Sequence, residues 1–148
     1  MHPPLCLVTG VLRSGSTWSF NVCRGIAQYS ARVAHLPTGS EYLTPDQLDQ
    51  WFKQTGGKTP GPTVLKAHGA GPLAIHALRT ALAKAVVTHR DPRDCVASLL
   101  RFRDGETFDA ALQGVERNFR DLDAYVDLPA VLLVRYDDMM ADAKHEIR

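Results

Sequence analysis

Leu5-Cys6-Leu7-Val8-Thr9-Gly10-Val11-Leu12-Arg13-Ser14-Gly15-Ser16-Thr17-Trp18-Ser19-Phe20 is the stretch on which the fold turns. It opens as an unbroken apolar run, Leu5 to Val8, of the kind that forms a parallel strand buried on both faces. The run breaks at Gly10 and passes through a loop of small and hydroxyl-bearing residues. From Trp18 to Cys23 the apolar spacing suits a helix. Strand, glycine-punctuated loop and helix in this order are the layout of a phosphate cradle, and also of an ordinary strand-to-helix turn rich in small residues. Glycines let successive backbone N–H groups turn inward, and the positive end of the helix adds to their pull on an anion. The hydroxyls of Ser14, Ser16 and Thr17 offer further donors.

The common triphosphate loop reads GxxxxGK[ST]. Gly10 and Gly15 keep its glycine spacing, but Ser16 stands at the lysine position and the cation of the loop is Arg13, three residues earlier. A lysine beside the second glycine reaches the β and γ phosphates of a triphosphate. A cation ahead of the Ser-Gly pair meets a different point of a different ligand.

With 148 residues, 45% of them hydrophobic, the chain can bury one core, which predicts a single domain. Its net charge of +1 excludes a broadly basic surface for nucleic acid, so any anion site is local. Cys6, Cys23 and Cys95 are odd in number and lack a CxxC spacing, and they read as reduced core thiols. Met1-His2-Pro3-Pro4 has no basic stretch backed by a long apolar one, and no run approaches membrane length. A soluble cytoplasmic protein with no membrane or nucleic-acid partner is the expectation.

Along the chain, strands alternate with helices. The first helix is predicted from about Ser16 to Ser30, with a short strand at Arg32–Leu36. Thr44 caps a helix that has Pro45 at its first position and Leu48, Trp51 and Phe52 on one face. Thr63–His68 reads as a strand, Leu73–Lys84 as a helix and Ala85–His89 as another strand. Asp91 and Pro92 open the next helix. Thr107 begins a long one, whose stripe of Phe108, Leu112, Val115, Phe119, Leu122 and Val126 is core rather than a cofactor box. Val131–Val134 is a last strand, followed by a helix from Asp137-Asp138 that is cut off at Arg148. The pattern implies an α/β fold, a parallel sheet covered by helices on both faces in three layers.

In such sheets ligands bind beyond the carboxyl ends of the strands. Arg13, Lys66, His68, Arg90 and Arg135-Tyr136 all follow or end strands, so a parallel sheet lines them up along one edge. Converging cations suit a ligand with several phosphate-like groups. A histidine among them serves proton transfer or closes a strand structurally, and the residues alone leave both open. The surrounding charge would hold it neutral.

These residues resemble the sulfotransferases that use 3'-phosphoadenosine 5'-phosphosulfate (PAPS). Arg13-Ser14-Gly15-Ser16-Thr17-Trp18 is similar to their 5'-phosphosulfate loop, and Lys66-Ala67-His68 to their Lys-x-His strand end. Arg90-Asp91-Pro92-Arg93-Asp94 with Ser98 is similar to their 3'-phosphate motif, and Arg135-Tyr136-Asp137-Asp138-Met139 to their Tyr-Glu-Asp segment. The four occur in family order, with 22 residues from His68 to Arg90, and the resemblance spans Leu5 to the last residue.

The resemblance implies a nucleotide-kinase-like fold and sulfonate transfer from PAPS, as co-substrate and without metal, to a hydroxyl or amine. Arg13 and the N–H groups of Ser14, Gly15, Ser16 and Thr17 would hold the 5'-phosphosulfate. Trp18 and Tyr136 would contact the adenine, and Arg90 and Ser98, aided by the helix start at Pro92, would hold the 3'-phosphate. His68 would be the general base and Lys66 an electrostatic helper. The acceptor would be a small molecule or carbohydrate.

The chain also departs from the family. Arginine replaces the commoner lysine at position 13, and its planar fork reaches differently. Glu41 is an alternative base. Family members usually continue into a basic, glycine-containing loop for the 3'-phosphate, so a domain truncated at its C-terminus is expected. Two other classes stay open. A small P-loop kinase would need a lysine at position 16 and a carboxylate for Mg²⁺, such as Asp91 or Asp137. A non-catalytic remnant would bind 3'-phosphoadenosine 5'-phosphate (PAP) weakly or not at all.

Overall fold

The computed structural model describes residues 5–69 and 71–141. The Met1–Pro4 start and the stretch of the last predicted helix beyond residue 141 lie outside the described residues. Strands and helices alternate as β1 (Leu5–Gly10), α1 (Ser16–Ala34), β2 (Gly39–Tyr42), α2 (Pro45–Thr55), β3 (Thr63–Lys66), α3 (Pro72–Arg79) and β4 (Lys84–His89). Then come α4 (Pro92–Phe102), α5 (Phe108–Val126), β5 (Val131–Arg135) and α6 (Tyr136–Ala141). All strand pairs are parallel, in the order β2-β3-β1-β4-β5.

The period-two alternation of strand side chains sorts the core into layers. Leu5, Leu7, Leu65, Ala67, Ala85 and Val87 face one way and pack with Leu48 and Phe52 of α2, Ala74, Ala77 and Leu78 of α3, and Tyr125 of α5. Cys6, Val8, Val64 and Val86 face the other way and meet Phe20, Cys23 and Ala27 of α1. The result is the predicted three-layer α/β/α arrangement. A third cluster joins Cys95, Val96 and Leu99 of α4 to Ala111 and Val115 of α5, with Val11 of the first loop between them. Each fully buried Leu or Val contributes about 1.5–3 kcal/mol relative to exposure. Among the described residues no helix is long and apolar enough to cross a membrane.

Several boundaries differ from the sequence reading. α1 continues to Ala34, and His35 ends it in a left-handed conformation (φ 53°) whose N–H bonds back to Arg32. The segment 32–36 is therefore helix end and turn, not strand. The second strand is instead Gly39–Tyr42, which runs beside β3 with Gly39 opposite Thr63 and Tyr42 opposite Lys66. Gly-Ser-Glu is a poor strand former, and pairing to an existing edge overrides that propensity. α3 stops at Arg79 and Lys84 begins β4. The α5 stripe is core at Val115 and partly at Leu112, Phe119 and Leu122, but Phe108 and Val126 at its ends are exposed. Thr44 caps α2 as expected, in a full capping box with Gln47.

Candidate functional site

β1 hands the chain toward β2 on one side of the sheet, and its neighbour β4 hands it toward β5 on the other. The loops beyond their carboxyl ends part, which is where doubly wound sheets bind ligands. A cavity of about 360 Å³ opens there, and Arg13, Gly15, Ser16, Thr17, Lys66, His68, Arg90, Ser98 and Tyr136 line it. These are nine of the residues singled out from the sequence, drawn from four strand ends and the helices that follow.

The loop Val11–Gly15 is held from two sides. Ser14 is fully buried. Its hydroxyl contacts the carbonyls of Val11 (2.6 Å) and Thr88 (3.1 Å) and shares a 2.7 Å hydrogen bond with the Thr88 hydroxyl. Its N–H donates to the Val11 carbonyl at 3.2 Å. Ser14 therefore ties the loop to β4, and its donors are not turned to the cavity. From the other side, Asn118 of α5 accepts the Leu12 N–H at 3.0 Å. Gly10, at φ 152°, lies so close to Thr88 that a Cβ would collide with its hydroxyl and carbonyl oxygens. At Gly15, φ 86°, a Cβ would run into Met139 and Tyr136 of α6. Only glycine lets the backbone pass under that helix into α1. Among the described residues no side chain caps the N-terminus of α1 and no acidic residue stands in its first turn, so its leading N–H groups keep their pull on an anion.

Four basic side chains surround this cradle. Arg13, itself left-handed at φ 65°, lies over the Phe102 ring at 4.1 Å and donates from Nε to the Ser98 hydroxyl at 3.1 Å. The side chains expected at the two ends of one ligand are thus in direct contact. Lys66 is buried, 2% exposed, and donates to the Thr17 hydroxyl at 2.7 Å, with the Tyr42 ring 4.7 Å away. Burial holds its pKa below the ordinary lysine value. Arg90 stacks on Tyr136 at 4.2 Å, and its buried Nε stands 3.7 Å from the Asp94 carboxylate, an ion-pair distance too long for a hydrogen bond, with no hydrogen-bond partner among the described residues. Arg103, just past α4, is the fourth.

His68 sits at the end of β3, beside Tyr42 at a ring distance of 6.0 Å. Its Nδ1 is 3.0 Å from the Gly10 carbonyl. A carbonyl only accepts, so Nδ1 carries the hydrogen and Nε2 keeps its lone pair. Burial, with the charges of Lys66 and Arg103, lowers the pKa below the ordinary histidine value, against the opposing pull of the Gly10 carbonyl. The turn after it is pinned by the Tyr125 hydroxyl, which donates to the Gly69 carbonyl at 3.2 Å.

The remaining sequence candidates fall elsewhere. Trp18 is 38% exposed on α1 and does not line the cavity. Glu41 adjoins Tyr42 on β2, and strand alternation sends it to the opposite face from the cavity-lining Tyr42. The start of α4 is capped by Asp91, which accepts the Arg93 N–H at 2.9 Å and is gripped by the Arg93 guanidinium, so its carboxyl is held down at about 2. The positive end of α4 is thereby satisfied by the chain itself. Sequence reading missed Phe102 and Arg103 in the cavity wall and Asn118 and Tyr125 behind it; Tyr42, also in the wall, ends the 36–42 segment that the sequence offers as an acceptor-lining loop. Phe102 and Arg103 lie one helical turn beyond Ser98 and at the end of the same helix, a spacing that could have found them.

No protein-family model matches the chain, and no curated protein matches it by sequence. Solved structures do. A retinol dehydratase in complex with retinol and PAP superposes with a TM-score of 0.60 at 15% identity, over 99% of this chain and 58% of its own. The same enzyme type with androsterone and inactive cofactor PAP gives 0.63, also at 15% identity and over the same shares, 99% and 58%. Mouse sulfotransferase SULT7A1 complexed with PAP gives 0.57 at 16% identity, over 97% of this chain and 56% of its own.

The fold is that of a sulfotransferase. This chain spans a little under three fifths of the length of the structures it matches. Within the part of the sulfotransferase fold that it does span, the strand-end cavity gathers the loop, strand-end and helix motifs that the sequence presents separately.

Proposed function

We propose that the chain transfers a sulfonate group from PAPS to a hydroxyl or amine acceptor, with His68 as general base. The observation that carries this reading is the cavity itself. An N-terminal helix cradle, the four cations Arg13, Lys66, Arg90 and Arg103, and a neutral imidazole with a free Nε2 share one space of about 360 Å³.

In this reading the N–H groups at the start of α1 and the Arg13 guanidinium hold the 5'-phosphosulfate and stabilise charge on the leaving phosphate oxygen. To do so, Arg13 exchanges its hydrogen bond with Ser98 for the ligand, which frees the Ser98 hydroxyl beside Arg90 for the 3'-phosphate. The Nε of Arg90, ion-paired at 3.7 Å with Asp94 but without a hydrogen-bond partner among the described residues, supports that assignment. Lys66, bonded to Thr17, brings a positive charge between the cradle and the histidine. His68 takes the acceptor proton at Nε2 as the acceptor attacks sulfur, while the Gly10 carbonyl holds its ring in the required tautomer.

Calorimetric titration with PAP tests the donor site. PAP is expected to bind without Mg²⁺ and more tightly than ADP, and Arg90→Ala to remove that preference. ADP binding as well as or better than PAP, and only with Mg²⁺, would overturn the reading in favour of a kinase.

A further inference from the structure

We infer that the acceptor at this site is itself anionic, with a carboxylate or sulfate near its nucleophilic hydroxyl, and that Arg103 selects it. The inference rests on the sulfonate-transfer reading. Four cations line the cavity, and Arg13, Lys66 and Arg90 have work to do on the donor. Arg103 belongs to none of the donor motifs, yet it shares the cavity wall with Tyr42, Phe102 and His68.

Arg103 is placed rather than loosely solvated. Its backbone is fixed on both sides: its N–H donates to the Leu99 carbonyl at 3.0 Å and its carbonyl accepts the Glu106 N–H at 3.2 Å. Its side chain is 51% exposed, but Nη1 is held at 3.1 Å by Glu106, whose own side chain is only 14% exposed. A carboxylate that is mostly buried and spent on orienting a guanidinium at a cavity rim is not what a solvated surface pair needs. The guanidinium carries five donors in a rigid fork, so one contact with Glu106 leaves capacity for a second oxyanion.

The placement is at the acceptor end. After burial and Lys66, the charge of Arg103 is a further cause of the lowered pKa of His68, and it is the charge that opposes burial at Tyr42. An anion on the acceptor would meet Arg103 while the acceptor hydroxyl meets His68, and the Tyr42 ring would close one wall between them. A neutral acceptor would leave this cation, once the donor is in place, with no oxyanion beyond Glu106.

The test uses protein saturated with PAP, so that the donor cations are occupied. Titration with 4-hydroxybenzoate is compared with 4-hydroxybenzamide, which matches it in size and hydroxyl but lacks the charge. The benzoate is expected to bind about tenfold tighter or more, as a charge-assisted hydrogen bond supplies. Arg103→Gln should erase that difference, with PAP affinity of the variant as the control for folding. Equal binding of the two probes, including none of either, or a preference that survives in Arg103→Gln, overturns the inference. Failure of PAP to bind the unaltered protein is a separate result, which sinks the donor reading and this inference with it.

Discussion

At the residue scale, the proposed base is His68, and its surroundings fix how it should respond to pH. Burial lowers its pKa first, Lys66 and Arg103 lower it further, and the hydrogen bond to Gly10 works the other way. The net direction is down from the ordinary 6.5, so the imidazole is neutral at pH 7, as the proposed base must be. Lowering the pH through the depressed pKa protonates Nε2 and removes the base. The acid limb of the transfer rate is therefore expected below pH 6.5, and an acid limb at or above that value would contradict the assignment. His68→Ala should cost on the order of 100- to 10,000-fold in transfer rate while PAP affinity stays unchanged. A variant that loses rate and PAP affinity together would mark His68 as a structural support of the loop through Gly10 rather than as a base. From sequence, both roles were open for this histidine. The contact that bears on them, Nδ1 on a carbonyl 58 positions away, leaves no trace in local pattern.

At the scale of elements, the site depends on how firmly the first loop is clamped. Strand-loop-helix was legible from Leu5 to Phe20 because a buried parallel strand, a glycine break and helical spacing are all local signals. The clamp was not. Asn118 lies mid-helix on α5 and reaches the loop only because α5 packs on α4 beneath Val11. Replacing Asn118 by Ala would leave the Leu12 N–H without its acceptor, at about 1–3 kcal/mol. Urea denaturation should show a lower midpoint with an unchanged slope, and PAP binding should weaken in parallel. Asn118→Asp, which keeps an acceptor oxygen, should restore most of the stability. Unchanged stability and PAP affinity in Asn118→Ala would show that Ser14 alone holds the loop. The misplaced second strand has the same origin as the missed clamp. Arg32–Leu36 has strand-like composition but continues a helix already under way, whereas Gly39–Tyr42 becomes a strand only because β3 offers it an edge.

Across the whole molecule, the cavity is formed by no single element. Its wall takes Arg13 from the loop after β1, Lys66 from the end of β3, Arg90 from the turn after β4, Ser98 from α4 and Tyr136 from the start of α6. The edge on which these gather was legible, because strands alternating with helices imply a parallel sheet and such a sheet places its strand ends together. Which of them touch was not, since the contacts of Arg13 with Ser98 and Phe102 join positions more than 80 residues apart. A site assembled in this way exists only in the folded chain, so its ligand binds the native state alone and must stabilise the whole fold. At a PAP concentration about 100 times its Kd the gain is about 2.7 kcal/mol. For a chain of this length that corresponds to a rise in Tm of about 5–10 °C. ADP at the same concentration should give a smaller rise, because Arg90 and Ser98 would have no 3'-phosphate to meet. In Arg90→Ala the two ligands should shift Tm equally. A PAP shift no larger than that of ADP in the unaltered protein would mean that Arg90 is not a phosphate contact, and the assignment of that end of the cavity would fall.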